Sequence, residues 1–204
     1  MSADPPSRRA EHAADTRAAL VDAARGLFAE RGFAATGTED IVAAARVTRG
    51  ALYHHFRDKT ALFRAVLEQV RNEYAEALIN DQLPRAVEGS PLDQIRAGFA
   101  AFLDACLTSG DFHRIVLVEG PIVFGQDSWD ALAEGHGLAL LGDWLRRAAD
   151  TGEIAAVPVE PLARVLVAAL TEASLIIVRS PEPAAARAEV GVVLDRLIQG
   201  LSSS

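Results

Sequence analysis

Among 204 residues there is one cysteine, one lysine, one methionine and two tyrosines. Cys106 alone excludes an intrachain disulfide and a cysteine-built zinc site, and it fits a reducing compartment. A lone thiol on an apolar helix is most often a packing residue. The five histidines show no metal-ligand spacing. His54 and His55 are adjacent and fall on different parts of a helix surface, while His12, His113 and His136 stand alone. No metal and no cofactor is expected. Gly135-His136-Gly137 has neither the spacing nor the preceding strand of a phosphate-binding loop. No local sequence marks an activated nucleophile, so the chain reads as a non-enzyme. The opening MSADPPSRRAEH is polar and lacks the apolar core of a secretory signal. The longest apolar stretch, Leu162 to Val178, contains Arg164, Thr171 and Glu172 and falls short of the roughly 20 residues that span a bilayer. It predicts a buried helix, no membrane partner and a cytoplasmic location.

Basic charge is scarce overall, with a formal net charge of −8. The deficit is uneven. Residues 1–60 carry nine Arg/Lys against eight Asp/Glu, whereas residues 61–204 carry eleven against twenty. A surface for nucleic acid therefore belongs at the N-terminus.

Sustained strand alternation is also missing, and helical periodicity fills the chain, so the fold class is all-α. Residues 1–12, with Pro5, Pro6, Arg8 and Arg9, read as a disordered basic arm. A helix starts near Asp15 or Thr16, places Leu20, Ala24, Leu27 and Phe28 on one face, and stops at Gly32. Thr36-Gly37-Thr38 opens a short helix reaching Ala45, with Glu39 and Asp40 in its first turn. Arg46-Val47 turns the chain, and Thr48 caps a third helix from Arg49 to His55. A long fourth helix begins near Lys59 with Leu62, Phe63, Val66, Leu67, Val70 and Tyr74. Further helices are expected over 91–109, 111–119, 128–151, 161–178 and 183–201. The expected organisation is an arm (1–12), a three-helix head (13–60) and, joined by the long helix, a larger helical domain (61–204).

Residues 36–59, TGTEDIVAAARVTRGALYHHFRDK, combine a helix, a tight turn and a capped second helix, which are the parts of a helix-turn-helix. Thr48 offers a hydroxyl and free backbone amides to a phosphate. Arg49 can read guanine with two hydrogen bonds. Gly50 and Ala51 let the backbone approach a groove, Leu52 and Phe56 anchor the helix, and Tyr53 and His54 point outward. Lys59 can grip a phosphate. A helical corner without nucleic acid is the bland rival.

With FAERGF at 28–33, EDIVAAARVTRGALYHHF at 39–56 and Lys59 followed by Leu62, residues 16–70 resemble the TetR (tetracycline repressor) family. The resemblance implies a repressor with a three-helix DNA-binding head, a C-terminal ligand cavity and dimerisation through the last two helices. It implies backbone contacts from Thr38, Thr48, Tyr53, His54 and Lys59, with His54 in reach of a base, and base-facing Arg49 and Gly50. Two positions depart from the pattern. Arg46 stands where the family usually has glycine, and it either touches phosphate or simply takes the turn with strain. Gly37 stands where a threonine usually opens the second helix, a weaker cap.

In the C-terminal part, Phe102, Phe124, Trp129 and Trp144 with Cys106, His113, Glu119 and His136 are candidates for a largely apolar ligand cavity. RVLVAALTEASLIIV is apolar nearly all round and needs cover on two sides. Helices at about 161–178 and 183–201 meeting a symmetry mate would supply it. The expected partners are a double-stranded operator, a second copy of the chain and a small-molecule inducer, largely apolar. A rival from another class is a helical ligand-binding module or enzyme with a vestigial head.

Overall fold

The structure, a computed structural model, describes residues 8–77, 89–108, 110–125 and 136–202. Among them every extended element is helical, and the only strand-like feature is an isolated bridge between Ile154 and Ser202. The head is built from α1 (Arg8–Ala35), α2 (Thr38–Ala45) and α3 (Arg49–His55), followed by α4 (Lys59–Ala77). The rest comprises α5 (Pro91–Thr108), a turn α6 (Gly110–Phe112), the π segment His113–Glu119, α7 (Gly120–Phe124), α8 (His136–Asp150), α9 (Val159–Arg179) and α10 (Pro183–Gln199).

α1 begins at Arg8, so residues 8–12, expected to be part of an irregular arm, lie in a helix. No proline follows Pro6 here, and Ala10, Glu11, Ala13 and Ala14 are strong helix formers. Residues 1–7 lie outside the described residues. The expected stop at Gly32 is a kink: its φ of 82° breaks the helix, which resumes for one turn to Ala35. The α2–α3 turn has the expected bounds. Arg46 takes the left-handed conformation (φ 57°, ψ 39°), its N–H meeting Ala43 O and that of Val47 meeting Val42 O. The strain foreseen for a non-glycine residue there is thus present.

Two apolar cores divide the molecule, and their boundary does not follow the chain. One joins Leu20, Phe28, Ile41, Leu52, Phe63, Val66 and Val70 of the head and α4 with Phe112, Ile115 and Val116 from the middle of the sequence. The other joins α5, α8, α9 and α10 around Ile95, Leu103, Leu145, Leu166 and Ile177. The expected helix 111–119 is wound more widely: the N–H of Gly120 donates to Ile115 O, five residues back. Such i→i+5 turns are rare and concentrate at functional sites.

α9 is 21 residues long and apolar enough to span a membrane, so the length argument from 162–178 does not by itself exclude one. Within the fold its Ala163, Leu166, Ala173 and Ile177 are buried in the second core, and it packs on α5, α8, α10 and the π segment.

Candidate functional site

α3 owes its position to a buried back and an open front. Leu52 is fully buried and Phe56 nearly so, whereas Thr48, Arg49, Gly50, Tyr53 and His54 are exposed. Thr48 caps the helix by accepting the N–H of Ala51 at 3.2 Å. α2 is opened from within: Asp40 accepts the N–H of Gly37 at 3.2 Å, doing for Gly37 what its missing side chain cannot. Thr38, the first residue of α2, is half-buried. From α1, Arg17 lies 5.2 Å from the Phe56 ring centroid and steadies the end of α3.

Arg49 is not free. Its guanidinium pairs with Glu39 of α2 at 2.7 Å and lies 5.6 Å from the Tyr53 ring centroid. The two charges partly cancel on the face that would meet DNA, and a base must compete with a carboxylate. Sequence reasoning treated Glu39 only as a favourable charge at a helix start, and nothing in the spacing of ten residues announces the pair.

Lys59 is also engaged. Its ammonium donates to Phe33 O at 2.8 Å and Thr36 O at 2.9 Å, and lies 4.2 Å from the Phe33 ring centroid. Two of its three protons therefore cap the end of α1, leaving one for a phosphate. Gly50 has no internal reason to be glycine: a Cβ there would meet only Thr48 Oγ1, at 3.8 Å.

The eight side chains proposed for a cavity do not form one cluster. Phe124 packs on Phe63 at 5.8 Å and under the Arg64 guanidinium at 4.6 Å, within the first core. Glu119 pairs with Arg114 at 3.3 Å and abuts Gly32, facing α1. Trp144 is buried in the second core, against Gly98. Trp129 and the side chain of His136 lie outside the described residues. Phe102, Cys106 and His113 remain, at the seam between the two cores.

The seam also contains two residues that sequence reasoning missed. Tyr74 donates to Phe102 O at 3.0 Å and stacks on Phe112 at 3.9 Å, while Ser174 of α9 donates to Leu170 O at 2.7 Å. Burial pushes the Tyr74 phenol well up and the Cys106 thiol up, so both stay protonated at neutral pH. Burial pushes His113 down against the weaker opposing pull of Asp111, so the imidazole is neutral. Its Nε2 is buried and has no hydrogen-bond partner among the described residues. Tyr74 looked like one more apolar residue of α4, and Ser174 is a small polar interruption in an apolar helix.

A different opening, about 630 Å³, lies between α5 and α10, with Phe99, Leu103 and Ile198 at its floor and Arg96, Arg187 and Asp195 at its rim. Arg187 is held by Asp104 at 2.6 Å and Arg96 by Asp195 at 3.2 Å.

Residues 20–66 match the family described as bacterial regulatory proteins, tetR family, and residues 92–201 match the tetracyclin repressor-like C-terminal domain. The HTH-type transcriptional regulator AcrR of Shigella flexneri is 34% identical over 109 residues, 53% of this chain and 49% of that protein. The chain thus spans about half the length of that relative. The HTH-type transcriptional regulator Mb3439c of Mycobacterium bovis is 37% identical over 136 residues, 64% of this chain and 72% of that protein. A crystal structure of a TetR-family transcriptional regulator from Pectobacterium atrosepticum superposes with a TM-score of 0.79 at 32% identity, covering 98% of this chain and 99% of that one. With both halves of the chain matched in order, this protein belongs to the TetR family of bacterial regulatory proteins.

Proposed function

We propose that the chain is a DNA-binding transcriptional repressor that acts as a homodimer and leaves a palindromic operator when a small molecule binds its C-terminal half. The observation that carries this is the front of α3. Thr48, Arg49, Gly50, Tyr53 and His54 share one exposed surface on a helix whose back is locked into the head by Leu52 and Phe56. A hydroxyl-capped N-terminus, an arginine and an uncrowded glycine suit phosphate, base edge and groove floor in turn. Thr38 and the third proton of Lys59 add backbone contacts, and exposed Arg46 reaches a phosphate. The site of action is then the cytoplasm.

Dimerisation is proposed through α9 and α10. Val165, Ile176, Val193 and Leu197 are each about half exposed or more on these two helices. Apolar surface left open in a row along two packed helices is the mark of a face that another chain covers. A four-helix interface would set two copies of α3 one DNA turn apart, about 34–36 Å.

The test is a fluorescence-anisotropy titration against the DNA upstream of the protein's own gene, with an unrelated duplex of equal length as control. Selective, salt-sensitive binding is the expected result. If random-sequence selection on ligand-free protein also yields no preferred site, the chain is a ligand-binding module with a vestigial head.

A further inference from the structure

We infer that His113 Nε2 is the polar anchor of the effector site, and that the effector is an uncharged molecule with a flat aromatic body and one hydroxyl or carbonyl group. This inference deepens the reading of a ligand-released regulator and rests on it. His113 is only 8% exposed, and its Nε2 has no hydrogen-bond partner among the described residues. A buried polar atom left unpaired is costly, and native folds keep one where something else completes it.

The location points to a ligand. His113 opens the π segment, an uncommon winding that recurs at binding sites. Around it lies an aromatic wall. The Phe112 ring is 6.3 Å from the imidazole, stacks on Tyr74 at 3.9 Å, and meets Phe102 nearly edge-on at 6.2 Å. Such ring faces and edges favour a flat aromatic molecule packed against the cluster.

Charge sets the class. Asp111, whose charge acts on His113, is held by Arg25 at 2.5 Å, and Glu119, at the far end of the π segment, is held by Arg114 at 3.3 Å. The carboxylate that acts on the imidazole is thus already paired, as is Glu119, and the buried imidazole is itself neutral. An ionic ligand would meet no free counter-charge from these groups, and an uncompensated buried charge is prohibitive. A neutral imidazole nitrogen instead accepts from a hydroxyl or, as the other tautomer, donates to a carbonyl.

The same place gives the ligand leverage. Phe112, Ile115 and Val116, in and beside the π segment, are built into the core of the DNA-binding head. A molecule that pairs with His113 repositions the turn on which the head rests.

Four probes of one shape separate the possibilities: naphthalene, 1-naphthol, 1-naphthoate and 1-naphthylmethylammonium. Each is measured by equilibrium dialysis near pH 7.5 against the full-length wild type, His113→Phe and His113→Gln, with thermal melts to check folding. In the wild type, 1-naphthol is expected to bind at least tenfold tighter than naphthalene and than either ion. His113→Phe should bring it within about twofold of naphthalene. His113→Gln, which keeps a polar group, should retain a preference of threefold or more and carries the test if the Phe variant does not fold. Equal binding of naphthol and naphthalene to wild type would mean that Nε2 is satisfied by water, and the inference fails. It fails equally if an ion binds tightest, if no probe binds, or if His113→Phe leaves the preference intact, as for a probe seated in the α5–α10 groove. Operator binding by the wild type is measured in parallel. Its absence overturns the regulator reading itself, whereas its presence with no naphthol preference overturns only the effector assignment.

Discussion

Gly50 is a residue whose cost is visible and whose benefit, on the proposed reading, lies in the bound DNA. Glycine inside a helix is worth about 0.5–1 kcal/mol less than alanine, and nothing here occupies the space of a Cβ. Gly50→Ala should therefore raise the melting temperature and weaken operator binding tenfold or more, seen by calorimetry and anisotropy together. Arg46 is the converse case. A left-handed non-glycine residue costs about 1–2 kcal/mol, part of which glycine gives back as unfolded-chain entropy. Arg46→Gly is expected to stabilise by about 0.5–1 kcal/mol in urea titrations and to lower the salt dependence of operator binding by about one ion. His113 makes stability pH-dependent. Burial lowers its pKa below the ordinary 6.5, so the folded chain binds fewer protons than the unfolded one. Its contribution is whole above 6.5 and declines as the pH falls through 6.5 toward the lowered folded value, by at most about 1.4 kcal/mol per pH unit. Urea midpoints between pH 7.5 and 5 should show a smaller decline for His113→Gln.

At the scale of elements, the head is tied to the middle of the chain along one side of α1. Arg25 bridges Asp111 and Glu73, both at 2.5 Å, at one end of the contact. At the other, Gly32 admits the Arg114–Glu119 pair, and any Cβ would overlap the Glu119 carboxylate and come within 2.8 Å of Arg114 Nη2. Asp111 stands just before the π segment and Arg114 and Glu119 lie within it, so both attachments tie this stretch to α1. Lys59 adds a third tie by closing the last carbonyls of α1 from the first turn of α4. Lys59→Met should keep the apolar stem while stranding two carbonyls, at a cost of about 1–3 kcal/mol in denaturant unfolding. The loss in DNA affinity should be uniform across sequences. The cap was not legible in the sequence, where a lysine after the second helix of a helix-turn-helix simply reads as a phosphate ligand.

For the whole molecule, the proposed dimer would make binding to a two-fold site possible. If α9 and α10 form that interface, a carboxylate introduced into the exposed apolar row should break the pairing without touching either core. Leu197→Asp is expected to sediment as a monomer and to bind a full palindrome at least a hundredfold more weakly, with helicity by circular dichroism retained. A variant that stays dimeric would place the interface elsewhere.

Local sequence determined what local physics decides. Periodicity placed the helices from Pro91–Thr108 and Val159–Arg179 to Pro183–Gln199 within a few residues, because each has an apolar stripe and a capping or breaking residue near its ends. The α2–α3 turn, the Thr48 cap and the outward side of α3 were legible for the same reason. Tertiary structure alone decided which distant groups meet. The Glu39–Arg49 pair, the Lys59 cap, the transfer of Phe112, Ile115, Val116 and Phe124 into the head core, and the seam of Tyr74, Cys106 and Ser174 all join residues from separate elements. Helical periodicity says which face is buried but not against what, and a partner's identity is a property of packing rather than of any one stretch of chain.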